Sequence, residues 1–280
     1  MEQLSPVMTG RTEHSVQSDK DYQSFYEAND VLELAFLTVP GGREEQQDCF
    51  GCSLKANETL AVVCDGMGGH RGGKQASRLA VSAVLSAYEE TCPCEDIAGM
   101  LVDTARRIDS EISGMTDEAG NPLGGGSTMV AVSIRAGSLV WCSVGDSRGY
   151  LLRDGQFVQF TQDQNYQSVI DAKLRMKLIS EEEYAEESKR GSALISYLGV
   201  GGLMLINYNT SPLPLKSGDR ILLMTDGLYK LVPEDQIKAV AENFSRITDA
   251  LEVYESKAAK AARNSNIQRD NMTVAVIRVK

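Results

Sequence analysis

Residues 60–69 read Leu-Ala-Val-Val-Cys-Asp-Gly-Met-Gly-Gly. A short apolar run closed by turn residues is typical of a β-strand, so this stretch predicts a strand over Thr59–Cys64 that ends directly before Asp65. Residues 221–227 repeat the pattern, with Ile-Leu-Leu-Met-Thr followed by Asp-Gly. A carboxylate at the end of a buried strand is costly unless it is hydrogen-bonded or holds a cation. Both stretches therefore predict buried strands whose terminal carboxylates have a partner.

Further short apolar runs continue this pattern along the chain. They predict strands at Leu34–Val39, Thr128–Ile134, Leu139–Val144, Tyr150–Leu152, Phe157–Phe160, Leu203–Ile206, Ile221–Met224 and Met272–Val279. Apolar residues at helical spacing predict amphipathic helices over 76–88 and 97–112, and two later helices are expected to begin at Pro233 and Ile247. Because the strands are joined by hairpins rather than by regular crossovers, we expect antiparallel sheets flanked by helices, an α+β fold.

The composition narrows the class of function. The net charge of −11 disfavours nucleic acid as a partner, because the phosphate backbone would be repelled. We expect no membrane attachment, since the N-terminus lacks the apolar run of a signal peptide and no apolar stretch is long enough to span a bilayer. Without a secretory signal, the six cysteines are expected to be reduced thiols. These features together predict a cytoplasmic protein.

Two more aspartates, Asp146 and Asp270, resemble Asp65 and Asp226 in their local sequence. Asp146 follows an apolar run and a glycine, and Asp270 precedes an asparagine and the last predicted strand. A turn would explain one such aspartate, but four at strand ends favour a shared site. Carboxylate oxygens select hard cations, so the residues predict a Mg²⁺ or Mn²⁺ site. A phosphate-binding P-loop is disfavoured, because Gln75 stands where that motif requires Ser or Thr.

In these and other segments the sequence resembles the metal-dependent protein serine/threonine phosphatases, often called type 2C, and in particular their bacterial members. The resemblance runs in order from Arg43 to the C-terminus. Its segments are Arg43-x-x-x-x-Asp48, Asp65-Gly66-Met67-Gly68-Gly69, Gly126-Ser127-Thr128, Gly145-Asp146-Ser147-Arg148, Thr161-x-Asp163, Leu198-Gly199, Gly218-Asp219-Arg220, Thr225-Asp226-Gly227 and Asp270-Asn271-Met272-Thr273. Each segment is weak by itself, whereas the ordered set is specific. It implies a four-layer α-β-β-α sandwich, with two stacked antiparallel sheets flanked by helices.

The resemblance also implies roles for individual residues. Two metal ions, Mg²⁺ or Mn²⁺, would be held by Asp65, the carbonyl of Gly66, Asp226 and Asp270. In bacterial members a third ion would be supported by Asp146 together with Asp226. Asp48 would act through water molecules held by the metals. Arg43 would bind the substrate phosphate, because its planar fork matches two phosphate oxygens. Arg43, Asp48 and Asp65 are thus the expected catalytic residues.

The implied activity is hydrolysis of phosphoserine and phosphothreonine in proteins by a hydroxide that bridges the metals. The expected partners are phosphorylated proteins, including a bacterial serine/threonine kinase and its targets, and we expect a monomer. Gln46, Gln47 and Gln164 depart from the family pattern. Gln47 replaces an acidic residue beside the metals, so weaker metal binding is expected. This departure leaves an alternative, a weakly active or non-catalytic phosphoprotein-binding module of the same fold.

The expected organisation is a single domain, because the chain shows no internal repeat and no obvious linker. Residues 1–30 are polar and are predicted to form a flexible N-terminal extension, and residues 31–280 to form the catalytic domain. Residues 163–190 are charged and interrupt the strand pattern, which predicts a helical excursion from the sheet. By resemblance this segment is the flap beside the active site, and we expect it to influence the choice of substrate.

Overall fold

The computed structural model describes residues 14–56, 58–68 and 72–280. Within these ranges two antiparallel β-sheets lie face to face, and α-helices cover the outer face of each sheet. The predicted α+β fold, a four-layer α-β-β-α sandwich, is confirmed.

The helices and strands have the following bounds. In chain order the strands are β1 (His14–Gln17), β2 (Gln23–Ala28), β3 (Leu32–Val39), β4 (Cys49–Leu54), β5 (Glu58–Cys64), β6 (Gly66–Met67), β7 (Gly126–Ser127), β8 (Met129–Arg135), β9 (Ser138–Val144), β10 (Arg148–Arg153), β11 (Gln156–Gln159), β12 (Asn207–Tyr208), β13 (Leu213–Pro214), β14 (Arg220–Met224) and β15 (Met272–Val279). The helices are α1 (Gly72–Thr91), α2 (Ile97–Ser113), α3 (Tyr166–Arg175), α4 (Glu181–Glu187), α5 (Asp226–Tyr229), α6 (Glu234–Asn243) and α7 (Ile247–Ser265), with a short 3₁₀ turn at Ser188–Arg190.

The two sheets differ in how their strands are ordered. In the first sheet the order is β1-β4-β5-β8-β9-β12, and β13 also pairs with β9. In the second sheet the order is β11-β10-β14-β15-β3-β2, so the last strand of the chain lies near its centre. The short strands β6 and β7 pair with each other, and Ser127 of β7 also forms an isolated antiparallel bridge with Leu198. Helices α1 and α2 cover the first sheet, and α5, α6 and α7 cover the second.

The strand β3 shows why the sequence contains such continuous apolar runs. Side chains alternate between the two faces of a strand. Leu34 and Phe36 face the other sheet, whereas Ala35 and Leu37 face the helices. Both faces of the strand are therefore buried. Phe36 also stacks on Phe50 of the opposite sheet, with ring centroids 4.4 Å apart, and this contact joins the two sheets at their centre.

Three predictions of local structure need correction. Residues 203–206 do not form a strand, and the short strand β12 begins just after them. The strand β4 was not predicted, because its polar and small residues hide the apolar pattern. The irregular extension expected over residues 1–30 is wrong for residues 14–28, where β1 and β2 each add a strand to the edge of a sheet. Residues 1–13 of that extension lie outside the described residues.

Candidate functional site

Five aspartates lie at strand ends that face one cavity. Asp65 follows β5 and Asp48 precedes its antiparallel neighbour β4, so both lie at the same end of the first sheet. Asp226 and Asp270 lie in the same way beside the neighbouring strands β14 and β15 of the second sheet. Asp146 lies just after β9, which runs in the same direction as β5. The antiparallel topology thus gathers residues that are far apart in the sequence.

The cavity at this end of the sandwich has a volume of about 900 Å³. Its lining includes the predicted site residues Arg43, Asp65, Gly66, Asp146, Asp226 and Asp270. It also includes Gln47, Met67 and, from the segment after α4, Ser192 and Leu194. Asp48 is not part of the lining and lies buried among the strand ends. The structure therefore brings every predicted site residue to the cavity wall except Asp48.

Three of the carboxylates form the floor, which we define as Asp48, Asp65 and Asp146. Asp48 and Asp146 are buried, and Asp65 is partly buried at the cavity wall. Burial raises the pKa of the Asp65 carboxyl well above its ordinary value, and the charges of Asp48 and Asp226 raise it further. Burial likewise raises the pKa of Asp146, and Asp226 adds to the effect. Burial raises the pKa of Asp48 to about 8, while the hydrogen bond from Thr225 acts against the shift. Crowded, buried negative charge of this kind favours the arrival of a cation.

Asp48 is held rigidly from two sides. The Thr225 hydroxyl donates a hydrogen bond of 2.8 Å to Asp48 Oδ2. The Asp48 backbone N–H donates to the side-chain carbonyl of Gln46 at 3.0 Å, and Gln46 in turn donates to Thr38. Asp48 Oδ1 is buried and has no hydrogen-bond partner among the described residues. An acceptor fixed in this way suits the role of orienting water.

The other two carboxylates form the rim, which we define as Asp226 and Asp270. Each is paired with a cation of its own chain. Lys230 Nζ lies 2.5 Å from Asp226 Oδ2, and Arg43 Nη2 lies 2.8 Å from Asp270 Oδ2. The Arg43–Asp270 pair is about half exposed, with side-chain exposures of 53% and 46%. The predicted phosphate-binding arginine therefore already lies at the cavity and contacts a predicted metal ligand.

Arg148 has a structural role in the loop that carries Asp146. Its guanidinium donates to both carboxylate oxygens of Asp163, with the shortest bond at 2.7 Å. It also lies 3.7 Å from the centre of the Tyr229 ring. The Tyr229 hydroxyl donates to the backbone carbonyl of Asp146 at 3.0 Å. Arg148 thus holds the ring that supports the Asp146 loop, and its own charge is already paired.

Gln164 and Asn165 are functional residues whose roles the sequence did not reveal. The Gly145 N–H donates to the Gln164 side chain at 2.8 Å, and the Gln164 N–H donates to the Gly145 carbonyl at 3.0 Å. The Asn165 amide donates to Asp146 Oδ2 at 3.3 Å, and its oxygen accepts from the Ser168 N–H at the start of α3. The only sequence signal was that Asn is a favoured residue before a helix.

Gly66 illustrates how closely the backbone approaches this site. A Cβ at this position would clash with the carbonyl oxygens of Gly73 and Gln47. The Gly66 N–H donates to the Gln47 carbonyl at 3.2 Å. Only glycine fits between these two segments. The backbone of Gly66 is thereby fixed at the wall of the cavity, beside Asp65.

The donor set fits divalent cations in its chemistry. Carboxylates and backbone carbonyls are the ligands of hard cations such as Mg²⁺ and Mn²⁺. The raised pKa values of Asp48 and Asp65 mean that a proton, or another positive charge, is favoured at the floor. Within the described ranges, no three carboxyl, thiol or imidazole groups lie close enough together to form a ready-made cation cage. The rim carboxylates bond instead to Lys230 and Arg43. A cation would therefore bind with a rearrangement of side chains at the rim.

Comparison with known protein families identifies the family of this chain. Residues 42–263 match the family model described as protein phosphatase 2C. The chain belongs to the protein phosphatase 2C family. The matched range contains four of the five aspartates, and Asp270 lies just beyond it. The resemblance inferred from the ordered motifs is confirmed.

Relatives of this phosphatase 2C chain are bacterial. A serine/threonine phosphatase of Listeria monocytogenes serotype 4b, named Stp, is 33% identical over 226 residues, which cover 80% of this chain and 85% of the relative. The Mycobacterium tuberculosis serine/threonine phosphatase PstP is similar in structure, with a TM-score of 0.74, 27% identity, and coverage of 89% of this chain and 99% of that one. The predicted enzyme class, a protein serine/threonine phosphatase, is confirmed.

One solved structure of a phosphatase 2C relative contains metal. It is the catalytic domain of the serine/threonine protein phosphatase PstP in complex with two manganese ions. It has a TM-score of 0.70 and 26% identity, and the match covers 89% of this chain and 98% of that one.

In the part of this chain that the structure describes, no helix is both long and apolar enough to cross a membrane.

Proposed function

We propose that this chain hydrolyses phosphoserine and phosphothreonine monoesters in proteins with the help of Mg²⁺ or Mn²⁺. The observation that carries the proposal is the geometry of the strand ends, which bring Asp65, Asp146, Asp226 and Asp270 to the wall of one cavity. Burial and the charges of neighbouring carboxylates raise the pKa of Asp65 there. The relatives named serine/threonine phosphatases and the manganese complex of PstP support it. The alternative of a binding module without activity is not favoured by these relatives.

The proposed metal ligands are divided between floor and rim. Two ions would be held by Asp65, the carbonyl of Gly66, Asp226 and Asp270, with Asp146 as a further ligand beside Asp226. When bound, the cations supply positive charge that activates water and offsets the charge of the phosphate. Asp48, fixed by Thr225, orients water at the floor.

Arg43 is proposed to bind the phosphate of the substrate. Its guanidinium is half exposed at the cavity and pairs with Asp270 by a single bond of 2.8 Å. An exposed pair of this kind contributes little stability, at most about 1 kcal/mol. Arg43 can therefore exchange Asp270 for a phosphate dianion at little cost. The exchange would also release Asp270 to bind a cation, so substrate and metal would support each other.

The organisation and partners complete the proposal. Residues 31–280 would form the catalytic domain, and the helical segment 163–190 would be a flap that selects the substrate, since Ser192 and Leu194 just after it line the cavity. The substrates would be a bacterial serine/threonine kinase and its phosphorylated targets, met by a monomer in the cytoplasm. Six free cysteines, four of them buried, suit a reducing compartment.

The test is an assay of phosphate release. The chelator-treated chain is incubated with a phosphothreonine peptide, a phosphotyrosine peptide and p-nitrophenyl phosphate, with added Mn²⁺, added Mg²⁺ or neither. We expect metal-dependent release from the phosphothreonine peptide and much slower release from the phosphotyrosine peptide. Absence of release from every substrate in both metals would overturn the proposal. Release from p-nitrophenyl phosphate alone would overturn the assignment of a protein substrate.

A further inference from the structure

Lys230 lies at the carboxylate cavity, and the proposed function gives it no role. It follows the short helix α5 and lies one turn after Asp226. Its Nζ is 2.5 Å from Asp226 Oδ2. The Asp226 side chain is 16% exposed and that of Lys230 is 47% exposed, so the bond forms at the boundary between the cavity and solvent. The ammonium group therefore contacts a carboxylate oxygen of a proposed metal ligand.

The charge of Lys230 reaches beyond Asp226. Burial lowers the pKa of Lys230, but the negative charges of Asp226, Asp146 and Asp65 outweigh this effect and raise it. In return, the ammonium group acts against the rise in the pKa of Asp146 that burial causes. Arg148, the other cation near Asp146, is committed to Asp163 by three hydrogen bonds. Among the described residues, Lys230 is the cationic side chain that pairs with Asp226.

We propose that Lys230 is a built-in counter-ion of Asp226 that competes with a divalent cation for this part of the cavity. The inference rests on the proposed function in one respect, that Asp226 and Asp146 bind a metal. The ammonium and the metal exclude each other, because they share an acceptor oxygen and repel as like charges. The flexible, half-exposed side chain of Lys230 allows it to move into solvent when a cation arrives.

The consequence is a weakened metal site with a stabilised metal-free state. Without Lys230, the carboxylates at this position would repel each other and attract a cation more strongly. With Lys230, the metal must first displace a resident charge, so its apparent affinity falls. Metal ligands with a lower total negative charge bind divalent cations less tightly. Lys230 would therefore raise the concentration of free metal that is needed for one ion to bind.

The experiment measures metal binding rather than activity. Mn²⁺ is titrated calorimetrically into the chelator-stripped full chain at low ionic strength, for the wild type, Lys230→Met and Lys230→Arg. The control is Lys238→Met, which removes a lysine paired with Glu242 on α6 at 3.5 Å and far in the fold from the carboxylates. We expect Lys230→Met to tighten the weakest Mn²⁺ step about tenfold or to add a binding event. Lys230→Arg and Lys238→Met should bind as the wild type does.

A second measurement and an alternative variant make the outcome decisive. The melting temperature of the metal-free chain should fall in Lys230→Met and recover with excess Mn²⁺, because the lost counter-ion is replaced. If Lys230→Met does not fold, Lys230→Gln removes the same charge and keeps a polar head. Equal Mn²⁺ affinity in the wild type and the neutral variant, or equal tightening by Lys238→Met, overturns the inference. If phosphopeptide hydrolysis is intact in that case, the proposed function stands and this inference alone fails.

Discussion

The floor and the rim of the cavity handle negative charge in opposite ways. Among the described residues, the floor carboxylates Asp48 and Asp65 form no ion pair with a cationic side chain. Burial and the charges of neighbouring carboxylates raise the pKa of both. The rim carboxylates Asp226 and Asp270 each contact a lysine or arginine of the same chain. Electrostatic repulsion therefore destabilises the metal-free floor, whereas ion pairs offset the repulsion at the rim. A metal that enters the cavity gains most from the floor and must compete at the rim.

Removal of a floor charge should have the largest effect on activity. In Asp65→Asn we expect kcat for a phosphothreonine peptide to fall roughly a thousandfold, because an amide cannot supply the charge that holds the cations. The metal-free variant should be more thermostable than the wild type, since one buried charge is gone. Kinetics with Mn²⁺ and thermal unfolding with chelator provide the two measurements. The matched control is Asp154→Asn on the exposed hairpin, where Asn tolerates the positive φ of 50°.

If both activity and metal-free stability of Asp65→Asn matched those of the wild type, the floor would have neither of the properties assigned to it. A loss of activity with a loss of stability would also contradict the comparison. That result would mean that the Asp65 carboxylate is stabilised in the metal-free chain.

A change at the rim should affect substrate binding more than stability. For Arg43→Met we expect KM to rise about ten- to hundredfold, because the charge-assisted hydrogen bonds from the guanidinium to the substrate phosphate are lost. The free energy of unfolding should change by less than about 1 kcal/mol, because the pair with Asp270 is exposed. Arg148→Met is the counterpart, and it should lower the free energy of unfolding by about 3 kcal/mol. Urea unfolding measures the stability of both variants, and steady-state kinetics measure KM. The comparison is contradicted if Arg43→Met proves less stable than Arg148→Met.

The floor should also make metal-free stability depend on pH. The folded chain holds a proton on Asp48, whose pKa is about 8, at pH values where the unfolded chain has released it. This stabilisation is complete below the ordinary pKa of 3.8 and is lost as the pH rises toward 8. Relative to Asp48→Asn, the wild type should therefore lose free energy of unfolding between pH 5 and 8, by up to roughly 1.4 kcal/mol per pH unit. Urea unfolding in chelator at several pH values measures this, and parallel pH profiles would contradict it.

The smallest expected effect concerns Gln47, at the cavity wall between floor and rim. Gln47→Glu restores an acidic residue, and we expect the Mn²⁺ concentration for half-maximal activity to fall about threefold. Gln156→Glu, on an exposed strand, adds the same charge away from the cavity and should leave that concentration unchanged. An unchanged metal requirement in Gln47→Glu would show that this position lacks influence on the metals.

Much of this architecture could be predicted from the sequence because the signals are local. The apolar runs before Asp65 and Asp226 predicted β5 and β14, and the ordered motifs predicted the cavity residues. The edge strand β2 was missed, because a half-exposed strand lacks a continuous apolar pattern. The sequence analysis also missed the ion pair of Lys230 with Asp226 and the hydrogen bonds between Gln164 and Gly145. Both depend on how side chains are oriented after folding, which motif spacing does not encode.

The two ends of the segment proposed as the flap lie side by side. The Tyr166 N–H donates to the Ala193 carbonyl at 2.8 Å, and the Ile195 N–H donates to the Gln164 carbonyl at 2.9 Å. A segment whose two ends are fixed side by side can be exchanged or lengthened with little disturbance of its frame. The segment that contains the helices α3 and α4 could therefore be replaced while the rest of the fold stays unchanged. Evolution, or an engineer, could retarget such an enzyme by changing this segment while Gln164 and Asn165 keep the Asp146 loop in place.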